Sequence, residues 1–184
     1  LLKGGAHLER LAGVRVVAFD KTGTLTSGVL QVGTVVPVGT ATERAVLRAA
    51  AAVDALSAHP IARAIVARAQ EDGIALPAVT DFHSTPGLGV EGHVDGSRVA
   101  VGNARFLEAR GIAVPTLAVN GVAIESAGSS VVYVASGYAV LGAIAVADRL
   151  RDTAGEAIEM LRAQGIRRVV MLTGDSEAAA REIA

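Results

Sequence analysis

Asp20 opens the string Asp20-Lys21-Thr22-Gly23-Thr24-Leu25-Thr26, which surrounds one carboxylate with what a phosphoryl acceptor needs. A carboxylate can attack the γ-phosphate of ATP and split one difficult transfer into two easier steps through an aspartyl-phosphate. Lys21 brings positive charge, and Thr22 and Thr24 bring hydroxyls and backbone N–H donors for phosphate oxygens. Gly23 permits a tight turn. The preceding Val14-Arg15-Val16-Val17-Ala18-Phe19 is apolar and β-branched, and reads as a buried parallel strand. Asp20 then stands at the carboxyl end of a strand, where open α/β sheets place their ligands.

Near the far end, Met171-Leu172-Thr173-Gly174-Asp175 joins a second expected buried strand, Arg168 to Thr173, to a helix starting at Ser176. Thr173 and Gly174 could present a hydroxyl and an amide to a phosphate at that helix start. Alone, Thr-Gly-Asp is a common turn and cap string; its chemical meaning comes from Asp20 on a neighbouring strand of one sheet. In Ser57-Ala58-His59-Pro60, proline fixes the backbone just after a histidine, at a break between two helices. The imidazole is held where a planar ligand could stack. Pro86-Gly87-Leu88-Gly89-Val90-Glu91-Gly92 matches G-x-G-x-x-G superficially. No clean strand precedes it and no helix follows, so the dinucleotide reading fails. Gly87 and Gly89 read instead as positions whose missing Cβ lets backbone approach a ligand.

The elements that must position these residues follow from pattern. A short helix ends over Leu8 to Leu11, and Val29 to Val38 alternates as a strand. Thr42 N-caps an Ala-rich helix to about Ala55, and Ile61 to Glu71 forms a second, with Pro60 in its first turn. Short strands with glycine turns occupy Val79 to Gly102, including a hairpin turning at Asp95-Gly96. Asn103 to Arg110 is a short helix closed by Gly111. Ser130 to Ala135 and Ala139 to Val146 are strands, and Asp152 to Gln164 is an amphipathic helix. The βα style of both ends is absent between about 31 and 140. The expected fold class is α/β, a parallel-sheet domain over 1–30 and 141–184 interrupted by an α+β domain over 31–140.

Composition narrows the function. The 51% hydrophobic content leans on Ala, Val and Gly with 3% aromatics, which suits a Val/Ala-rich α/β protein and excludes disorder. A net charge of −1 without basic runs gives no electrostatic reason for nucleic-acid or lipid-surface binding. The absence of cysteine excludes disulfides and thiolate metal sites. The longest apolar run, Tyr138 to Ala147, is about half of what a bilayer crossing needs. No signal peptide is visible, and the chain as given is expected to be soluble and monomeric.

With these residues in view, the chain resembles the heavy-metal-translocating P-type ATPases, of the haloacid dehalogenase superfamily. The phosphorylated loop of that family carries the string found at Asp20–Thr26, so the resemblance implies that Asp20 is phosphorylated, with Lys21 and Thr22 beside it. Phosphatases of the superfamily carry a second Asp two residues downstream as general acid and base. Here that position is Thr22, which suits a long-lived acyl-phosphate. The resemblance makes Thr173, Gly174 and Asp175 the family's T-G-D motif, and Asp148-Arg149-Leu150-Arg151 its D-x-x-R segment, with Arg151 near the nucleotide. As residues alone, that segment reads equally as a solvated charge cluster opening a helix. His59 matches the histidine that orients adenine, and Gly87, Gly89, Gly102 and Asn103 match the glycines and asparagine lining the nucleotide. Asp54 stands where the family has a glutamate, one methylene longer.

The implied whole is the cytoplasmic ATP-binding and phosphorylation region of an integral membrane protein that transports a transition or heavy-metal cation. Hinge closure would bring the γ-phosphate to Asp20, with Mg²⁺ held by the Asp20 carboxylate and the Thr22 backbone carbonyl. The family carries a further lysine and a G-D-G-x-N-D segment beyond T-G-D, neither of which occurs before Ala184, so the piece is expected to be chemically incomplete. Leu2-Lys3-Gly4-Gly5 looks like the family's linker after a transmembrane helix. The wording around Phe19 and His59 leans to the zinc/cadmium/cobalt branch over copper. Two other classes stay open: a soluble phosphatase or mutase of the superfamily, and a nucleotide-binding module without chemistry.

Overall fold

The computed structural model describes residues 13–119, 122–124 and 129–173. The chain divides into two compact units, Leu1–Val29 with Asp148–Ala184, and Leu30–Ala147. The expected helix ending at Leu11, the Leu2–Gly5 linker, Gly174, Asp175 and the helix from Ser176 lie outside the described residues.

In the first unit, β1 (Val16–Asp20) pairs in parallel with a strand far along the chain, Arg168–Leu172, as the β-branched runs dictate. Val16 faces Arg168 and Asp20 faces Leu172. Lys21–Leu25 forms a single π-helical turn, and β2 (Thr26–Pro37) starts directly after it. The parallel pairing is as expected, but neither strand is buried: Val16 is 54% and Leu172 56% exposed. Among the described residues these two strands have only each other as sheet neighbours, so their apolar faces lack the cover a longer parallel sheet would give.

The second unit is built on a six-stranded sheet. Thr42 caps α1 (Glu43–Asp54) by accepting from the Ala45 N–H at 3.2 Å, and α2 (Pro60–Glu71) starts at the proline. β3 (Val79–Thr85), β4 (Gly89–Val94) and β5 (Ser97–Gly102) follow as an antiparallel meander. The β4–β5 turn uses positive φ at both Asp95 and Gly96, which matches the right-handed strand twist. Then come α3 (Ala104–Glu108), the short pair β6 (Ala118–Val119) and β7 (Val122–Ala123), and β8 (Ser130–Ser136). β9 (Ala139–Leu150) closes the sheet, whose order is β2-β9-β8-β5-β4-β3.

Alternation divides the core by sheet face. Val99 and Val101 of β5 pack with α1 and α2, while Ala100 packs with Phe106 and Leu107 of α3. β9 runs on through Leu150, so the Asp148–Arg151 cluster forms a strand end rather than opening a helix. The next helix, α4 (Ala154–Ala163), starts later and buries none of its residues; its amphipathic stripe, with Met160 69% exposed, stays uncovered among the described residues. The strand Arg168–Leu172 is β10.

Candidate functional site

Because β1 and β10 run parallel, Asp20 and Leu172 end side by side, and Lys21 and Thr173 leave the sheet at the same edge. Asp20 is exposed there. Gly23, with φ +76, supplies the left-handed residue that the turn after it requires. Its N–H donates to Thr26 Oγ1 at 3.0 Å. Thr26 is fully buried, and its hydroxyl lies 2.6 Å from Asp148 Oδ2 and 3.1 Å from the Lys21 carbonyl. One proton cannot serve both, and the short charge-assisted contact takes it. The other Asp148 oxygen accepts the Gly28 N–H at 2.9 Å.

Arg151 completes this frame. Its Nε donates to the Thr24 carbonyl at 3.0 Å, its Nη2 to the Gly23 carbonyl at 3.1 Å, and its backbone N–H to the Leu25 carbonyl at 2.8 Å. A π-helical turn this short leaves carbonyls without internal partners, and one planar guanidinium captures two of them. Asp148 and Arg151 thus shape the loop that follows Asp20. Thr26 and Gly28, partners in that frame, carry no such signal in the sequence beyond Thr26 closing the Asp20 string.

The other predicted residues meet in the second unit. Asp54, His59, Gly87, Gly89, Gly102 and Asn103 all line one cavity of about 280 Å³. Arg151 is absent from that lining, and its guanidinium is engaged at the Asp20 loop instead. His59 is the N-cap of α2: Nδ1 accepts the Ile61 N–H at 3.2 Å, which puts the proton of the neutral ring on Nε2. Ser57 Oγ accepts the His59 N–H at 3.2 Å. The Ile61 bond fixes the ring, and the Ser57 bond fixes the backbone that carries it. Asn103 caps α3 by accepting from the Phe106 N–H at 3.0 Å, and its amide donates to the Gly87 carbonyl at 3.4 Å.

The glycines divide by cause. Gly87 has φ +72 and open space where a Cβ would stand, so it serves the turn. Gly89 and Gly102 face each other across β4 and β5, and a Cβ on either would lie 2.7 Å from Phe106 Cδ1. The Val101 and Leu88 carbonyls and the Phe106 ring occupy the space those side chains would take, so packing alone requires both glycines, and both also line the cavity. Phe106 is stacked under the Arg110 guanidinium, 3.5 Å from the ring centroid. Arg110 grips both Glu91 oxygens at 2.9 Å, and Arg98 pairs with the same carboxylate. The Arg110 hydrogen bonds, reinforced by Arg98, hold the Glu91 carboxyl down at about 2 against the opposing effect of burial.

Asp54 ends α1 with 5% of its surface exposed. Its Oδ2 has no hydrogen-bond partner. Burial pushes this carboxyl from 3.8 up to about 7. No group of three or more potential metal ligands occurs among the described residues, and no helix among them is long and apolar enough to cross a membrane.

A parallel strand ending in Asp, a loop of phosphate-binding residue types and an inserted unit define a class, and comparison agrees. Residues 14–184 match the haloacid dehalogenase-like hydrolases, and the chain belongs to that family. Over its full length it is 40% identical to a silver exporting P-type ATPase of Salmonella typhimurium and 42% identical to a zinc/cadmium/lead-transporting P-type ATPase of Escherichia coli. It spans 22% and 24% of those two proteins, roughly a quarter of their length. The crystal structure of a zinc-transporting PIB-type ATPase superposes on the whole chain with a TM-score of 0.81 at 41% identity, and the chain covers 29% of it.

Proposed function

We propose that the chain is the ATP-binding and phosphorylation part of a heavy-metal-transporting P-type ATPase, and that Asp20 receives the γ-phosphate of ATP. The observation that carries this is the placement of Asp20 at the end of β1, level with Leu172, followed by a loop tied down by Asp148 and Arg151. A loop fixed by the fold needs no reorganisation at the moment of transfer. An Asp20 carboxylate oxygen attacks the γ-phosphorus, the bond to the β-phosphate oxygen breaks, ADP leaves, and an acyl-phosphate remains. Lys21 and Thr173 flank the reacting group with charge and hydroxyl, with Gly174 and Asp175 next in sequence. Thr22 offers no carboxylate to activate water, so the acyl-phosphate persists.

The cavity takes the nucleotide, with the adenine stacked on His59 and Asp54, Gly87, Gly89, Gly102 and Asn103 around it. P-type ATPases use Mg²⁺ with ATP, and the residues at Asp20 fit that ion. The loop offers the exposed Asp20 carboxylate and backbone carbonyls, the described residues hold no all-protein metal cage, and Mg²⁺ takes one or two carboxylates together with phosphate oxygens. Asp20 and the Thr22 carbonyl would hold it, and its charge would offset that developing on the transferred phosphoryl group.

The parent protein would sit in a membrane, with this part on its cytoplasmic side, and move a transition or heavy-metal cation. The wording around Phe19 and His59 favours the zinc/cadmium/cobalt class; identities of 40% to the silver exporter and 42% to the zinc/cadmium/lead transporter favour neither branch. The test is labelled ATP on the complete pump. Asp20→Asn should abolish the acid-stable, hydroxylamine-sensitive phosphoenzyme and leave nucleotide affinity in place. A phosphoenzyme that survives the substitution would remove Asp20 from this role.

A further inference from the structure

We propose that Leu88 is the second wall of the base site, its side chain lying across the face of the adenine that His59 leaves open. The base is then held between an imidazole and an aliphatic surface. The inference rests on the ATP reading above. A planar base gains most when both of its faces leave water, and an aliphatic side chain covers a ring face without competing for its hydrogen-bonding edge. Leucine has no donor or charge to offer a phosphate, so the part of the nucleotide it suits is the base. Leu88 thus acts on how tightly the nucleotide is held.

Three observations converge on this residue. Leu88 lines the cavity and is 39% exposed, whereas the other large exposed apolar side chains among the described residues, Val16, Met160 and Leu172 among them, line no part of it. Within the lining, Ala62, Val90 and Val101 are buried and form the floor, while Leu88 and His59 are both exposed and stand at the rim. The backbone of Leu88 is committed on both sides. Its N–H donates to the Thr85 carbonyl at 3.0 Å, and its carbonyl accepts the Asn103 N–H at 3.0 Å. The Asn103 amide also holds the Gly87 carbonyl, and the Leu88 carbonyl already fills the space a Gly102 side chain would need. Turning the side chain inward would break these bonds or drive the turn into β5. Leaving a leucine in water is unfavourable in proportion to its exposed apolar area, and a base laid against it recovers that area.

The test measures ATP binding to this chain by calorimetry, with urea unfolding beside it, for the wild type, Leu88→Ala, Leu88→Met and Leu88→Asn. Leu88→Ala should weaken ATP about fivefold, the scale of one to two methylene groups left in water. Leu88→Met keeps an aliphatic surface of similar volume and should stay within about twofold of the wild type. Leu88→Asn, close in size but polar, should bind no better than the alanine variant. Because the side chain is exposed in the free chain, the urea midpoints should stay level across the set, which a packing role would not allow. In the wild type saturated with ATP, the Leu88 methyls should give NOEs to the adenine ring protons; this arm needs no variant. Unchanged ATP affinity in Leu88→Ala, a methionine variant as weak as the alanine one, an affinity loss matched by a falling urea midpoint, or absence of those NOEs would each overturn the proposal. A wild-type chain that binds no ATP would overturn the ATP reading itself, and this inference with it.

Discussion

Arg151 and Gly23, 128 residues apart in sequence, meet through a guanidinium-to-carbonyl hydrogen bond of 3.1 Å. The second guanidinium bond, to Thr24, makes the pair a fork across consecutive carbonyls of the loop after Asp20. Arg151 thus holds the shape of the loop that follows Asp20.

From this we expect Arg151→Ala, in the complete pump, to lower the rate of phosphoenzyme formation by about tenfold or more while the ATP Kd stays level. A loop displaced by an ångström is enough for such a loss. Arg151→Lys should rescue little, since an ammonium cannot span two carbonyls in a fixed plane. Rapid-quench phosphorylation and equilibrium nucleotide binding separate the two effects. A weakened Kd with an intact rate would return Arg151 to the nucleotide.

His59 does two jobs that substitution can divide. His59→Ala removes both the ring and the α2 cap, and should weaken ATP binding by about 1–2 kcal/mol, the scale of one stacking contact. It should also cost roughly 1 kcal/mol of stability through the lost cap. His59→Asn keeps a good cap, so it should show the binding loss with near-wild-type unfolding in urea. Chemical-shift mapping on adding ATP should move His59, Gly87, Gly89 and Gly102 together. Stationary signals at all four would refute the placement.

Gly89→Ala should destabilise the chain by about 1–3 kcal/mol, because the new methyl meets Phe106 and the β5 backbone at once. Phe106→Leu in the same chain should recover part of that loss by giving space at the ring edge. Urea unfolding of the two single variants and the double variant measures the coupling. Additive losses would show that the ring is not what excludes the side chain.

Glu91 should govern acid stability. Its carboxyl lies near 2 when folded, against 4.5 as a free group, so the unfolded chain binds more protons between those values. The stability it contributes is complete above about 4.5 and fades as pH falls toward about 2. Glu91→Gln should remove about 2–3 kcal/mol at neutral pH and flatten the acid limb over that window. An acid limb unchanged in the variant would assign the pH response to other carboxylates.

The chemistry-bearing residues are legible in the sequence because their signals are local. Asp20 follows a β-branched run, and the His-Pro step sits at a helix break, so strand end and helix cap can be placed from neighbours alone. Burial is not legible in the same way. Val16 and Leu172 belong to runs that look like buried parallel strands, yet exposure depends on what covers a sheet, which no window of sequence contains. Charge clusters are ambiguous for a similar reason. Asp148 and Arg151 read as a solvated helix start until β9 carries them to Thr26 and Gly23. Gly89 and Gly102 stand out as glycines, but the close strand backbones and the Phe106 ring that crowd them give no sign in the local sequence.

The pairing of β1 with β10 also fixes an order of events during synthesis. Val16 meets Arg168, roughly 150 residues later, so the Asp20 strand leaves the ribosome without its partner. At about 5–20 residues per second, the wait is roughly 7–30 s. The meander of β3, β4 and β5 and the helices α1 and α2 have their neighbours within reach well before that and can assemble first. Until β10 emerges, the apolar strand that ends in Asp20 stays unpaired, and Arg151 reaches Gly23 only after a further 128 residues have been made. Asp20 is thus made roughly 150 residues before the strand that comes to lie beside it.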